Sequence, residues 1–235
     1  MKRNSSGISS AEQTPDASVI HRRKFLASLG LGVTAAAVLA SCDKDDDNGN
    51  EAPDGFIDLG RGDVGILNYA YALEQLEAAF YTRVMASQYS GITPAEVALL
   101  TDIRDHEVAH REFFKTALGS NAIPGLEVNF AAIDFSSRTS VLNTAKAFED
   151  LGVSAYNGAG KLIQSADYLL LAGKIVSVEA RHAAYIRDLL SNGTFADNTA
   201  VDMNGLDLVK APPAVLDVAK SFLVSKLWAG NLPTS

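Results

Sequence analysis

Four stretches of helical period lie between residues 63 and 190, and each carries a glutamate in the middle of its apolar stripe. Read as seams, the stripes are Leu67, Ala70, Glu74, Glu77, Tyr81, Val84; Leu100, Ile103, Glu107, His110, Phe114, Ala117; Leu142, Ala145, Glu149, Gly152, Tyr156, Ala159, Ile163; and Ile175, Glu179, His182, Ile186, Leu189. A lone carboxylate taken out of water costs several kcal/mol, and four in one interior repel one another. Such helices pack only if protons or cations come with them. Two divalent cations would balance four carboxylates.

The limits of these stretches predict the architecture. The first runs from about Asp63 to Met85, with no Pro or Gly between Ile66 and Ser90. Thr93, Pro94 and Glu96 give the second a cap, a proline at its first position and a capping-box acid, and it ends near Gly119. Pro124 and Gly125 interrupt the period over residues 120–137; Thr139 or Ser140 opens a third helix reaching about Ile163, and a fourth spans about Leu169 to Leu190. Pro212 and Pro213 open a last amphipathic helix to about Trp228. Connections that are short, long and short predict an all-α fold. It is a four-helix bundle with one long crossover between helices 2 and 3, the ferritin-like topology rather than the up-down-up-down one. The bundle is expected over residues 61–191, with residues 192–235 as a C-terminal extension holding one helix.

Composition narrows the chemistry. The chain has 28 acidic and 20 basic residues, a formal net charge of −8, and no Lys/Arg cluster outside its N-terminus, so nucleic-acid binding lacks an electrostatic footing. Cys42 is the single cysteine, which excludes an internal disulfide and any multi-thiolate zinc or iron–sulfur site. Metal ligands must then be oxygen and nitrogen. Glu-x-x-His occurs at Glu107 with His110 and at Glu179 with His182. Residues three apart lie about 60° apart around a helix and ~4.5 Å along it, so both side chains reach one site. Glutamate fills only 10 of 235 positions, so composition alone does not account for the recurrence.

His106, Glu107 and His110 also spell His-Glu-x-x-His, the zinc-protease helix in which both histidines bind zinc and the glutamate is the general base. That reading requires a third ligand. Arg111, Glu112 and Phe113 follow without the metzincin glycine and histidine, no strand-rich segment precedes the helix, and Glu179 and His182 are left unexplained. The alternative leaves His106 on the surface or in support of a ligand.

Glu74 and Glu149 each precede a tyrosine by seven residues, at Tyr81 and Tyr156, which with the two Glu-x-x-His pairs makes a weak internal repeat. The order Glu74, Glu107, His110, Glu149, Glu179, His182 resembles the ferritin-like di-metal carboxylate superfamily. Residues 66–81 and 152–159 resemble its branch that includes plant desiccation-related proteins and many exported bacterial proteins. The resemblance implies that Glu107 and Glu179 bridge two metals. Glu74, Glu149, His110 and His182 would be terminal ligands, and Tyr81 and Tyr156 would orient carboxylates by hydrogen bonds. Iron is the metal it implies, while the ligand types alone also admit manganese or zinc. Glu77 lies on the same seam as Glu74; the spacing to Tyr81 favours Glu74 as the ligand, with Glu77 flanking. Gly152, Gly158 and Gly160 either permit close packing near the site or break the third helix.

The first 41 residues read as an export signal. Arg22, Arg23 and Lys24 run into an apolar stretch, residues 25–40, too short for the ~20 residues that span a bilayer, and the arginine pair resembles the twin-arginine signal. Leu39, Ala40, Ser41 and Cys42 resemble a lipobox, with Cys42 the acylated residue. Residues 42–60, led by an acidic run, are expected to be a disordered tether. The protein is thus expected to be exported and lipid-anchored in a bacterial envelope, at the outer membrane on its periplasmic or surface side, touching membrane only through that anchor. A homodimer is compatible with this reading. Two functions fit: ferrous iron oxidation or another reaction with dioxygen or peroxide, and a non-enzymatic role as a metal-binding or stress-protective envelope protein.

Overall fold

Uninterrupted helical period becomes helix where the chain allows it. A computed structural model describes residues 51–234. The order is β1 (Phe56–Asp58), α1 (Gly62–Ala86), α2 (Pro94–Leu118), α3 (Arg138–Gly160), α4 (Ala166–Leu190), α5 (Pro212–Ala219) and β2 (Lys226–Trp228). Helices α1 and α2 pair, α3 and α4 pair, and the crossover between α2 and α3 joins the two pairs into a four-helix bundle. The expected all-α ferritin-like topology is what the chain adopts.

Caps set the helix limits. At α2 the capping box is complete: Glu96 N–H donates to Thr93 Oγ1 at 3.2 Å, and Thr93 N–H donates to Glu96 Oε2 at 2.9 Å. Helix α3 starts a little before the expected Thr139, because Ser137 accepts from Ser140 N–H. Helix α4 starts three residues before the expected Leu169. Ser165 caps it, and Asp63 of α1 accepts from the backbone N–H groups of Gln164 and Ser165 at 2.7 and 2.8 Å. A side chain a hundred residues away cannot be read from local sequence.

The seam residues are buried with four departures, of which Ile163 and Leu189, at the ends of their stripes, are only partly exposed. Ala117 is exposed and Leu118 is buried in its place, since a straight helix drifts from a strict seven-residue stripe. His110 keeps 13 % of its side chain exposed. Helix α1 is enclosed on nearly every side, whereas α2 and α4 each keep an outer face in solvent.

Two expectations at the ends need correction. The export signal, Cys42 and the acidic run lie outside the described residues, but residues 51–60 of the expected tether are ordered. Phe56, Ile57 and Leu59 supply apolar surface that the acidic composition masks: β1 pairs in parallel with β2, Leu59 is fully buried, and Asn68 Nδ2 donates to its carbonyl. The last helix stops at Ala219 instead of reaching Trp228. Residues 222–225 instead bond the crossover, with Asn129 N–H donating to Phe222 O and Val224 N–H to Glu127 O, each at 2.8 Å, and Lys226–Trp228 become β2. Tertiary partners for extended backbone outcompete the amphipathic pattern.

The extension lies against α3. Lys210 N–H donates to Ser154 O at 3.0 Å, and a Cβ at Gly158 would overlap the Lys210 carbonyl. Gly158 therefore serves close approach, and α3 runs unbroken through Gly152 and Gly158 to end at Gly160, short of the expected Ile163. Arg187, 1 % exposed, ties α4 to α3 through both oxygens of Asp150, at 2.7 and 2.8 Å, and to the extension through Asp197 and Thr199. Asp150, which its position beside Glu149 would turn toward solvent, is in fact this buried arginine's partner.

Candidate metal centre

Each central helix delivers its polar seam residues to one level of the bundle. Ligand atoms of Glu74, Glu107, His110 and Glu179 lie within 4.8 Å of one another, and so do those of Glu107, Glu149, Glu179 and His182. Glu107 and Glu179 belong to both sets and lie between them. The six side chains singled out by spacing thus converge, and the four glutamates have no exposed surface.

The donors face inward without partners. Among the described residues, Oε2 of Glu74 and Glu149, both carboxylate oxygens of Glu107 and Glu179, and Nδ1 of His110 and His182 are buried and lack any hydrogen bond. The nitrogens approach the carboxylates in ion-pair contacts without hydrogen-bond geometry: His182 Nδ1 lies 2.8 Å from Glu107 and 3.4 Å from Glu149, and His110 Nδ1 lies 3.0 Å from Glu179 and 3.3 Å from Glu74. Leaving so many buried polar atoms unmatched is costly, and a cation in each set would match them. This donor set of carboxylates and imidazoles fits two divalent ions.

The other oxygen of Glu74 and of Glu149 is held from outside. Tyr81 of α1 donates its hydroxyl to Glu149 Oε1 of α3, and Tyr156 of α3 donates to Glu74 Oε1 of α1. The seven-residue repeat therefore acts across the bundle, each tyrosine serving the opposite helix's glutamate. His182 Nε2 lies 2.9 Å from Nδ1 of His106. His106 belongs to neither ligand set, so the two histidines of the zinc-protease pattern do not share a site.

The buried charges shift one another's titration. Burial drives Glu74 up to about 7 and Glu77 and Glu179 well above the ordinary carboxylate range, and it also raises Glu149. Burial would raise Glu107 as well, but the close approach of His110 and His182 outweighs it and holds that carboxyl at about 2. Burial opposes charge on His182, yet Glu107 and Glu149 raise it to about 10, and the surrounding glutamates raise His110 likewise. These shifts have one cause: buried carboxylates this close together need protons or cations to neutralise them.

Glu77 is buried beside the centre but is in neither ligand set, which leaves Glu74 as the residue of α1 in line. Its counterpart in the repeat is Gly152, where a Cβ would stand 3.1 Å from Glu77 Oε1 and 3.4 Å from Glu179 Oε2. The absent side chain makes room for the fifth carboxylate.

The family model described as a ferritin-like domain matches residues 62–192, more than half of the chain and the whole of α1 to α4. The chain belongs to the ferritin-like family. Among curated proteins, none matches it. A ferritin-like bundle with inward carboxylates and histidines on facing helices is a scaffold suited to metal, and the sets around Glu107 and Glu179 are groups that could hold it.

Proposed function

We propose that this ferritin-like protein holds a pair of divalent metal ions, iron first, between α1, α2, α3 and α4, and works as a di-iron oxidase of ferrous iron or reactant of dioxygen or peroxide. The observation that carries the reading is the two overlapping sets of buried donor atoms without partners. Glu107 and Glu179 would bridge; Glu74 with His110 and Glu149 with His182 would complete the two positions. Bound there, iron supplies one-electron redox chemistry toward dioxygen or peroxide.

The chain's own residues prepare the site. Tyr81 and Tyr156 each fix one oxygen of a terminal carboxylate and leave the other facing inward. His106 engages Nε2 of His182, so that Nδ1 is turned to the carboxylates. Burial excludes bulk water from the glutamates. Manganese or zinc would satisfy the same donors.

Export and lipid anchoring belong to this proposal, supported by Arg22, Arg23, the apolar stretch to Ala40 and Cys42. Membership of the branch with desiccation-related proteins is supported by residues 66–81 and 152–159. A second reading, in which the ions chiefly hold the bundle together in a stress-protective envelope protein, is favoured by the mutual repulsion of the buried carboxylates. Aerobic titration of the chelator-treated protein with ferrous iron separates the two. An oxidase gives saturable oxidation above the buffer rate at about two irons per chain, and a structural centre binds without turnover. Glu107→Ala or His182→Ala is expected to lower the stoichiometry; no stoichiometric binding by the native chain would end the proposal.

A further inference from the structure

The repeat that relates the ligands is not matched by the packing around them. An offset of 75 residues carries α1 onto α3, and one of 72 carries α2 onto α4. At the end of the centre beside Tyr81, the interior is filled by Phe80, Val84, Leu100 and Phe148, none more than 2 % exposed. Phe80 packs on Tyr81 and on Phe148, with ring centroids 5.1 Å apart in each pair. The counterparts beside Tyr156 are Ala155, Ala159, Ala172 and Leu73. Every one is smaller.

Tyr69 and Phe114, larger than their counterparts Thr144 and Ile186, do not make up the volume. A cavity of about 20 Å³ remains, lined by Leu73, Phe114, Ala155, Tyr156, Ala159 and Tyr69 among others. It ends outwardly at Ile163 and Ala172, both partly exposed, and inwardly at Tyr156, whose hydroxyl donates to Glu74. The void is large enough for a water, but a water needs two to four polar partners. Tyr156 has spent its hydroxyl on Glu74, and the Tyr69 hydroxyl is the only other polar side-chain group among the lining residues. A small apolar cavity of this kind stays dry and accepts small uncharged molecules.

We propose that this cavity admits dioxygen and delivers it to the Glu74 and His110 side of the centre, the opposite side being sealed by Phe80 and Phe148. The inference rests on the reading of the centre as one that meets dioxygen, and its test separates the two. Crystals of the full chain under xenon pressure should show a noble-gas peak between Leu73, Ala155 and Ala159. Ala155→Phe and the milder Ala159→Val, each copying its counterpart, should remove or weaken that peak. Loaded with ferrous iron, both variants should keep the native iron stoichiometry, while the dependence of oxidation rate on dioxygen concentration falls several-fold. Ala159→Val adds only two methyl groups and keeps the test alive if Ala155→Phe does not fold. An ordered water in place of xenon, no xenon at all, or an unchanged dioxygen dependence in a filled variant overturns the cavity proposal. Xenon bound in a protein that takes up or oxidises no iron overturns the reading of the centre instead.

Discussion

Glu74 and Glu149 each keep one oxygen on a tyrosine from the helix across the bundle and turn the other toward the centre. Without that hydroxyl, the carboxylate loses its orientation but stays where the helix puts it. Tyr81→Phe and Tyr156→Phe should therefore leave metal stoichiometry intact and weaken affinity by about 10–100-fold, as read by competition with a chelator of known strength. His106→Ala should keep two ions per chain, since its ring touches Nε2 of His182 and lies in neither ligand set. Loss of an ion in that variant would revive the zinc-protease pattern. The spacing of each tyrosine from its glutamate was legible; which glutamate each one serves was not, because the partner lies 68 or 82 residues away.

Among the helices, α3 holds the glycine with the least room for a side chain. Its Gly158 faces backbone of the extension, so Gly158→Ala must push Lys210 away or bend the helix. A cost of about 1–3 kcal/mol is expected, the range for forcing methylenes into a packed interior. Thermal melting would register it. Faster hydrogen exchange at the Lys210 amide, now bonded to Ser154, would locate it, and unchanged exchange there would disprove the assignment. At Gly152 the neighbour is a carboxylate at 3.1 Å, which can yield by a few tenths of an ångström, so the same change there should be milder.

At the scale of the whole molecule, the metal-free bundle is under electrostatic load. Glu74, Glu77, Glu149 and Glu179 have folded values raised above 4.5, so the stability they allow is full below that pH and is lost as pH climbs, through about 7 for Glu74. His182, raised from 6.5 to about 10, adds a loss that begins near pH 6.5 and runs to about 10, and Glu107, lowered from 4.5 to about 2, loses its contribution only as pH falls below 4.5. Chelator-treated protein should thus melt lower near pH 8 than near pH 5. With metal bound the trend should reverse, because protons then compete with the ions for the same oxygens. A metal-free melting temperature that rises over this interval would contradict the burial of the glutamates.

The four helices, the long crossover and the six Glu and His side chains that converge were legible in local sequence. Helical period and Glu-x-x-His spacing are local signals, and a carboxylate on an apolar stripe is anomalous wherever the stripe packs. Other features depended on residues distant in sequence. Asp63 holding the backbone that enters α4, Asp150 holding Arg187, β1 and β2 replacing the expected tether and helix end, and the void beside Tyr156 exist because distant segments compete for the same surface. Local pattern fixes what a segment prefers; tertiary contact decides which preference survives, since hydrogen bonds and volume are satisfied only among groups that the fold brings together.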